Sequence, residues 1–90
     1  MAKAVVVTVT GRVQGVSFRW YALQEAERLG VHGWVRNEPD GSVAAYLEGD
    51  DRAVESMVEW CRHGPSYAAV RHVAVTEAQP TGSDHFDIRY

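Results

Sequence analysis

The sequence has 90 residues, of which 46% are hydrophobic and 23% are charged, and its formal net charge at pH 7 is −3. This composition is that of an ordinary globular protein, so we expect one domain over residues 1–90 and exclude disordered and fibrous architectures. The acidic balance argues against a dedicated nucleic-acid binder, which carries a basic surface. A single cysteine excludes a disulfide framework, and the first apolar run is too short for a signal peptide or membrane span. We therefore expect a cytoplasmic protein.

The first third of the chain predicts a strand, a loop and a helix. β-branched residues predict a central strand over 4–10, and two glycines four positions apart interrupt this pattern in the segment 11–17. Apolar residues at helical spacing then predict a helix over 18–29. Ser17 is expected to cap this helix with its side chain, and Gly30 suits the left-handed residue that ends it.

The rest of the chain completes an α+β pattern. The remaining predicted elements are strands over 31–37 and 42–48, a helix from Asp50 or Asp51 to Gly64-Pro65, a strand over 70–76, and a short strand through Phe86, Ile88 and Tyr90. Pro39 and Gly41 fit the turn of an antiparallel hairpin between the first two of these strands. The order β-α-β-β-α-β with a short C-terminal strand predicts a ferredoxin-like sandwich, in which both helices cover one face of an antiparallel sheet. Regulators, RNA binders and enzymes all use this fold, so the site residues must decide the function.

The segment from Gly11 to Arg19, which joins the first strand to the first helix, is suited to binding an anion. A helix N-terminus presents unpaired backbone N–H groups and partial positive charge, and Arg19 in the first turn can hold two phosphate oxygens. A nucleotide-binding P-loop is excluded because GxxxxGK[ST] is absent. A cysteine-phosphatase loop is excluded because Val13 stands where the nucleophile would be. From these residues alone, a phosphate site and a plain tight connection stay equally open.

Two longer motifs resemble the signatures of the acylphosphatase family. The first runs from Val9 to Arg19 with V-Q-G-V-x-F-R at its centre, and the second reads Gly33-Trp34-Val35-Arg36-Asn37 and continues through Gly41, Val43 and Gly49. The resemblance extends from about Val5 to Tyr90. It implies hydrolysis of acyl phosphates, which are mixed anhydrides of carboxylic and phosphoric acid, to a carboxylate and inorganic phosphate.

The resemblance also implies how the site divides its work. Arg19 corresponds to the phosphate-binding arginine and Asn37 to the asparagine that positions the attacking water. The backbone N–H groups that correspond to the phosphate cradle are those of Gln14, Gly15, Val16, Ser17 and Phe18. No cofactor or metal is expected, because a carboxylate leaving group needs no general acid and phosphoryl transfer depends mainly on positioning and charge neutralisation. The expected partners are a small acyl phosphate and inorganic phosphate, the latter as product and competitive inhibitor; we expect a monomer with no nucleic-acid or membrane partner.

Two other classes of function remain open at this point. One is a non-catalytic anion- or metabolite-binding regulatory domain on the same fold. The other is an RNA-binding sheet, which would need exposed aromatic residues on central strands where segment 4–10 offers only valine, threonine and alanine.

The remaining candidate side chains are expected to be structural. Cys61 lies on the apolar stripe of the second helix and is expected in the core, and Arg12 and Arg36 are expected to be solvated. The histidines show no metal-ligand spacing; they are His32, His63, His72 and His85.

Overall fold

The computed structural model describes residues 2–90, which form five strands and two helices. In chain order these are β1 (Ala2–Arg12), α1 (Phe18–Leu29), β2 (His32–Asn37), β3 (Val43–Asp50), α2 (Asp51–His63), β4 (Ala69–Ala78) and β5 (Phe86–Arg89). The strands form one sheet in the order β4-β1-β3-β2-β5. The first four strands pair antiparallel, whereas β5 pairs parallel with β2, so the sheet is mixed. The predicted ferredoxin-like fold is confirmed.

β1, β3 and β4 are longer than the residue pattern predicts, β2 and β5 are one residue shorter, and α1 has the predicted bounds. β1 extends beyond 4–10 at both ends because it pairs with neighbours on both sides along nearly its whole length. Its register with β4 shifts between Thr10 and Gly11. Gly11 has a φ of 125°, and a Cβ there would lie 2.2 Å from the carbonyl oxygen of Ala69, so only glycine allows this approach.

Both helices cover the same face of the sheet, as predicted. α1 buries Phe18, Ala22 and Ala26, and α2 buries Val54, Met57 and Cys61. They meet the inward side chains of the central strands, which include Val5, Val7, Val9, Val43, Ala45 and Leu47. Each large apolar side chain buried here contributes about 1.5–3 kcal/mol. Burial raises the pKa of the Cys61 thiol to about 12, so this residue is a core side chain and carries no thiolate at neutral pH.

The helix ends follow the predicted chemistry at three of four positions. Gly30 is left-handed, and its N–H donates to the carbonyls of Ala26 and Glu27. Asp50 caps α2 by accepting a hydrogen bond from the N–H of Arg52, and Gly64 ends that helix. Within residues 2–90, no helix is long and apolar enough to cross a membrane.

Segment 79–83 lies over the other face of the sheet and is held there by the buried carboxylate of Glu48. The Tyr46 hydroxyl donates to Oε1 of Glu48 at 2.7 Å, the Thr81 N–H donates to Oε1 at 2.9 Å, and the Gly82 N–H donates to Oε2 at 3.0 Å. These donors, the Tyr46 hydroxyl foremost, lower the pKa of Glu48 to about 2.

This carboxylate predicts a loss of stability in acid. Because the folded pKa of about 2 lies below the ordinary value of 4.5, the stabilisation is complete well above pH 4.5 and is lost as the pH falls towards 2. It amounts to about 2–3 kcal/mol at neutral pH. We expect Glu48→Gln to lower the free energy of unfolding, measured in urea at pH 7. At pH 3 the difference in unfolding free energy between this variant and the parent should be less than half as large. A difference that is equal at both pH values would contradict this role of the Glu48 charge.

Candidate active site

The register of three strands brings the end of β1 and Asn37 to the same end of the sheet. Val9 of β1 and Asn37 of β2 both lie opposite Val43 of β3. Neighbouring strands are about 4.8 Å apart, so the two outer backbones are separated by about 10 Å. Opposite residues share a face of the sheet, and Val9 and Val43 are buried under the helices. Asn37 is therefore on the helix side, beside the loop that leaves β1.

The loop between β1 and α1 enters the helix through a left-handed residue that is not glycine. Ser17 has φ 63° and ψ 27°, and it is the one such residue among residues 2–90. Its carbonyl accepts the N–H of Tyr21 at 3.1 Å, but its side chain makes no capping hydrogen bond. The predicted side-chain cap is wrong, because a capping serine needs extended backbone angles to reach the first-turn N–H groups. A left-handed non-glycine residue costs about 1–3 kcal/mol, and such residues cluster at functional sites.

The Gln14 side chain ties this loop to the turn that follows Asn37. Its Nε2 donates to the carbonyl oxygens of Glu38 and Ser42, both at 2.8 Å. The turn is itself closed by the Gly41 N–H, which donates to the Glu38 carbonyl at 3.1 Å. Both N–H donors of the Gln14 amide are thus used, which fixes its orientation. The motif resemblance implied a role for the Gln14 backbone only.

Arg19 is held from the other side by β5 and the residue after it. Its Nη1 donates to the carbonyl oxygen of Arg89 at 3.1 Å, and its guanidinium carbon lies 4.7 Å from the centre of the Tyr90 ring. A guanidinium has five N–H donors, so these contacts orient the group and leave further donors for a ligand. The side chain is half-buried, at the rim of a cleft.

That cleft, of about 380 Å³, brings most of the predicted site residues together. Its lining consists of Val13, Gly15, Ser17, Phe18, Arg19, Trp20, Asn37, Ile88 and Tyr90. Gln14 and Val16 belong to the same loop but do not line the cleft. Arg19 is the one cationic side chain among the described lining residues, and no acidic side chain lies among them, so these side chains favour an anion. The Asn37 side chain makes no hydrogen bond to other described residues, and Asn37 lines a cleft with room for a ligand.

Arg12 is exposed as expected, but Arg36 is more constrained than a solvated side chain. The Nε of Arg36 donates to Glu38 at 2.8 Å, and its guanidinium carbon lies 4.8 Å from the centre of the Trp34 ring. Because successive side chains of a strand point to opposite faces, Arg36 lies on the face away from Asn37. It therefore contributes little to the field in the cleft.

No histidine within residues 2–90 lines this cleft, and His32 and His85 instead line a second pocket together with Asp84. His32 contacts the carbonyl of Ser83, and His63 contacts Glu59. His85 lies between Asp84 and Asp87, whose carboxylates raise its pKa, Asp84 most strongly. Over residues 2–90, no three histidine, cysteine, aspartate or glutamate side chains are grouped to hold a metal ion. Independence from metals stays a prediction.

Comparison with known proteins identifies the family. The acylphosphatase family profile matches residues 5–88. An acylphosphatase of Nocardioides sp. is 60% identical over 89 residues, which cover 99% of this chain and 90% of that relative. The crystal structure of an acylphosphatase from Bacillus subtilis has a TM-score of 0.94 at 37% identity and covers 100% of both chains. An acylphosphatase structure from Coxiella burnetii also gives 0.94, at 35% identity, covering 98% of this chain and 93% of that one.

The fold is that of small α+β hydrolases. The chain belongs to the acylphosphatase family, so the resemblance seen in the two sequence motifs is confirmed. It is an enzyme that hydrolyses acyl phosphates, and its substrates are small molecules. The alternative of a non-catalytic regulatory domain is not favoured.

Proposed function

We propose that the cleft holds the phosphoryl group of the acyl phosphate in the loop between β1 and α1 and that Asn37 positions the attacking water. The observation that supports this assignment is that Gly15, Ser17, Phe18, Arg19 and Asn37 line one cleft. In this proposal the phosphate oxygens accept hydrogen bonds from the backbone N–H groups of residues 14–18 and from the guanidinium of Arg19. The loop donors and the N-terminus of α1 stabilise negative charge together.

The same donors act on the transition state. Charge spreads over the three equatorial oxygens of the transferring phosphoryl group, and fixed donors around them lower the barrier without reorganising. Arg19 is well suited because its planar fork can contact two oxygens at once. Its bond to the Arg89 carbonyl and its contact with the Tyr90 ring hold that fork in place before the substrate binds.

Asn37 is proposed to hold a water in line with the bond that breaks. The side-chain carbonyl of Asn37 accepts a hydrogen bond from this water, whose oxygen then forms a bond to phosphorus. The bond between phosphorus and the acyl oxygen breaks, and its electron pair leaves with the carboxylate. A neutral amide is too weak a base to take the proton, so a phosphate oxygen of the substrate accepts it. The acid of the leaving carboxylate has a pKa of about 4–5, so no general acid is required.

Gln14 is proposed to set the distance between the two halves of the site. The loop that binds the phosphate and the strand that carries Asn37 come from different parts of the chain. The two 2.8 Å hydrogen bonds of Gln14 to the turn at residues 38–42 join them directly. A shift of about 1 Å in such an arrangement can cost 10²-fold in rate, so this tie matters for catalysis.

A test of the proposal is benzoyl phosphate hydrolysis with a chelator present. We expect full turnover in the chelator and competitive inhibition by inorganic phosphate, because product and substrate share the loop and Arg19. Matched assays with added Mg²⁺ provide the control and should give the same rate. Loss of turnover in the chelator, with recovery on adding Mg²⁺, would show that the reaction needs a metal and would contradict the proposal. Non-competitive inhibition by inorganic phosphate would mean that phosphate binds outside the substrate site. Phosphate binding without any turnover would favour the regulatory alternative.

We further propose that residues 1–90 act as a single domain and as a cytoplasmic monomer without nucleic-acid partners. The formal charge of −3 supports the absence of a nucleic-acid partner, and the free, buried thiol of Cys61 supports a reducing compartment. The acyl phosphate is then the one partner that catalysis requires.

A further inference from the structure

Three apolar residues line the cleft beside the residues proposed to bind phosphate. They are Trp20, Ile88 and Tyr90, which we call the acyl wall; Ile88 is half-buried and the other two are exposed. Trp20 is 51% exposed and Tyr90 is 98% exposed, although both are large apolar side chains. The Trp20 ring meets the Tyr21 ring edge-on, with 5.0 Å between their centres and 78° between their planes. This contact braces the Trp20 ring, which follows Arg19 directly in the chain.

The cleft has more room than a phosphoryl group needs. Its volume of about 380 Å³ equals about a dozen water molecules at about 30 Å³ each. In the proposed function the loop and Arg19 bind the phosphoryl group. The acyl wall is then the part of the lining left to contact the acyl group. An aromatic or extended apolar group placed there would remove apolar surface of Trp20 and Ile88 from water.

The charge of the lining limits which acyl groups fit. Among the described side chains of the lining, Arg19 is the single cation, and it is assigned to the phosphate. A second anionic group on the acyl chain would therefore lose its hydration in the cleft and find no second cation to pair with. An uncharged acyl group meets no such penalty.

Building on the proposed function, we propose that Trp20 is a specificity-determining residue of this enzyme. Through the acyl wall it selects acyl phosphates whose acyl group is uncharged and aromatic or extended and apolar. Acetyl phosphate, which is too short to reach the wall, and acyl phosphates with a further carboxylate are the poorer substrates.

The test compares benzoyl phosphate with acetyl phosphate in Trp20→Ala. We expect the ratio of kcat/KM for benzoyl over acetyl phosphate to fall by about tenfold, mainly through a higher KM for benzoyl phosphate. The kcat/KM for acetyl phosphate and the Ki of inorganic phosphate should stay within about twofold of the parent, since neither ligand touches the wall. Trp20→Phe should keep most of the preference because it retains an aromatic face.

The matched control is Tyr67→Ala, which removes an aromatic residue that is 76% exposed and lies outside the cleft. Its benzoyl-to-acetyl ratio should equal that of the parent. In the parent, butyryl phosphate should also be hydrolysed with a higher kcat/KM than succinyl phosphate, which has a similar length and an added carboxylate.

The outcomes separate this inference from the proposed function. An unchanged benzoyl-to-acetyl ratio in Trp20→Ala overturns the acyl wall and leaves phosphate binding at the loop intact. Equal losses on both substrates together with weaker phosphate inhibition also overturn it, because Trp20 would then act through the loop. A preference for succinyl phosphate overturns the charge argument. A parent protein that hydrolyses none of these substrates overturns the proposed function itself.

Discussion

Replacing Asn37 with alanine should reduce kcat for acyl phosphate hydrolysis by about 10²–10³-fold, the usual cost of removing one preorganised polar group from an active site. In the proposed mechanism Asn37 contacts the water and not the phosphate. The Ki of inorganic phosphate should therefore stay close to that of the parent, and KM should change little. Steady-state kinetics on benzoyl phosphate, with phosphate as inhibitor, measure both quantities in the same assay.

The neighbouring Glu38→Ala provides the control for a general disturbance of the turn. The Glu38 carboxylate contacts Arg36 on the side away from the cleft, so this variant should keep kcat within about twofold of the parent. If Asn37→Ala retained most of its activity, Asn37 would be an ordinary turn residue without a role in positioning water. A large loss of phosphate affinity in the same variant would mean that Asn37 binds the phosphate directly.

The fold could be predicted from the sequence because its determinants are local. The i, i+3, i+7 spacing of Val54, Met57 and Cys61 defines the buried face of α2, and Gly30 ends α1 by its own backbone preference. The parallel pairing of β5 with β2 was not predicted, since four residues carry no signal for strand direction. The direction is set by the docking of Phe86 under the helices and by segment 79–83, which Glu48 holds over the sheet.

The sequence predicted residues of a candidate site, but not the contacts that position them. The motif resemblance pointed to Arg19 and Asn37, and the strand register explains how two residues 18 positions apart line one cleft. Gln14 contacts carbonyls 24 and 28 positions away, and Arg19 contacts one 70 positions away. No periodicity in the sequence reports such contacts. The predicted cap at Ser17 is wrong for a different reason, because serine suits a cap by residue type while the loop requires a left-handed backbone there.

Arg19 supports the second large prediction, because it is proposed to contact the phosphate in both the ground state and the transition state. Arg19→Gln should raise the Ki of inorganic phosphate by about 10–100-fold, the range expected for losing hydrogen bonds to a charged group worth about 1.5–3 kcal/mol. It should also lower kcat by about 10²–10³-fold, because no cation would then stabilise the negative charge on the equatorial oxygens in the transition state. Benzoyl phosphate kinetics and phosphate inhibition again give both values.

Two further variants show which property of Arg19 matters. Arg19→Lys keeps the charge but loses the planar fork, so it should recover part of the phosphate affinity and little of kcat. Arg71→Gln removes an exposed arginine of β4 outside the cleft and should match the parent, which controls for the change in net charge. Because Arg19 also contacts Arg89 and Tyr90, circular dichroism must show that Arg19→Gln stays folded. If Arg19→Gln is folded and binds inorganic phosphate as the parent does, Arg19 does not bind the phosphate. The proposed phosphate site would then be wrong.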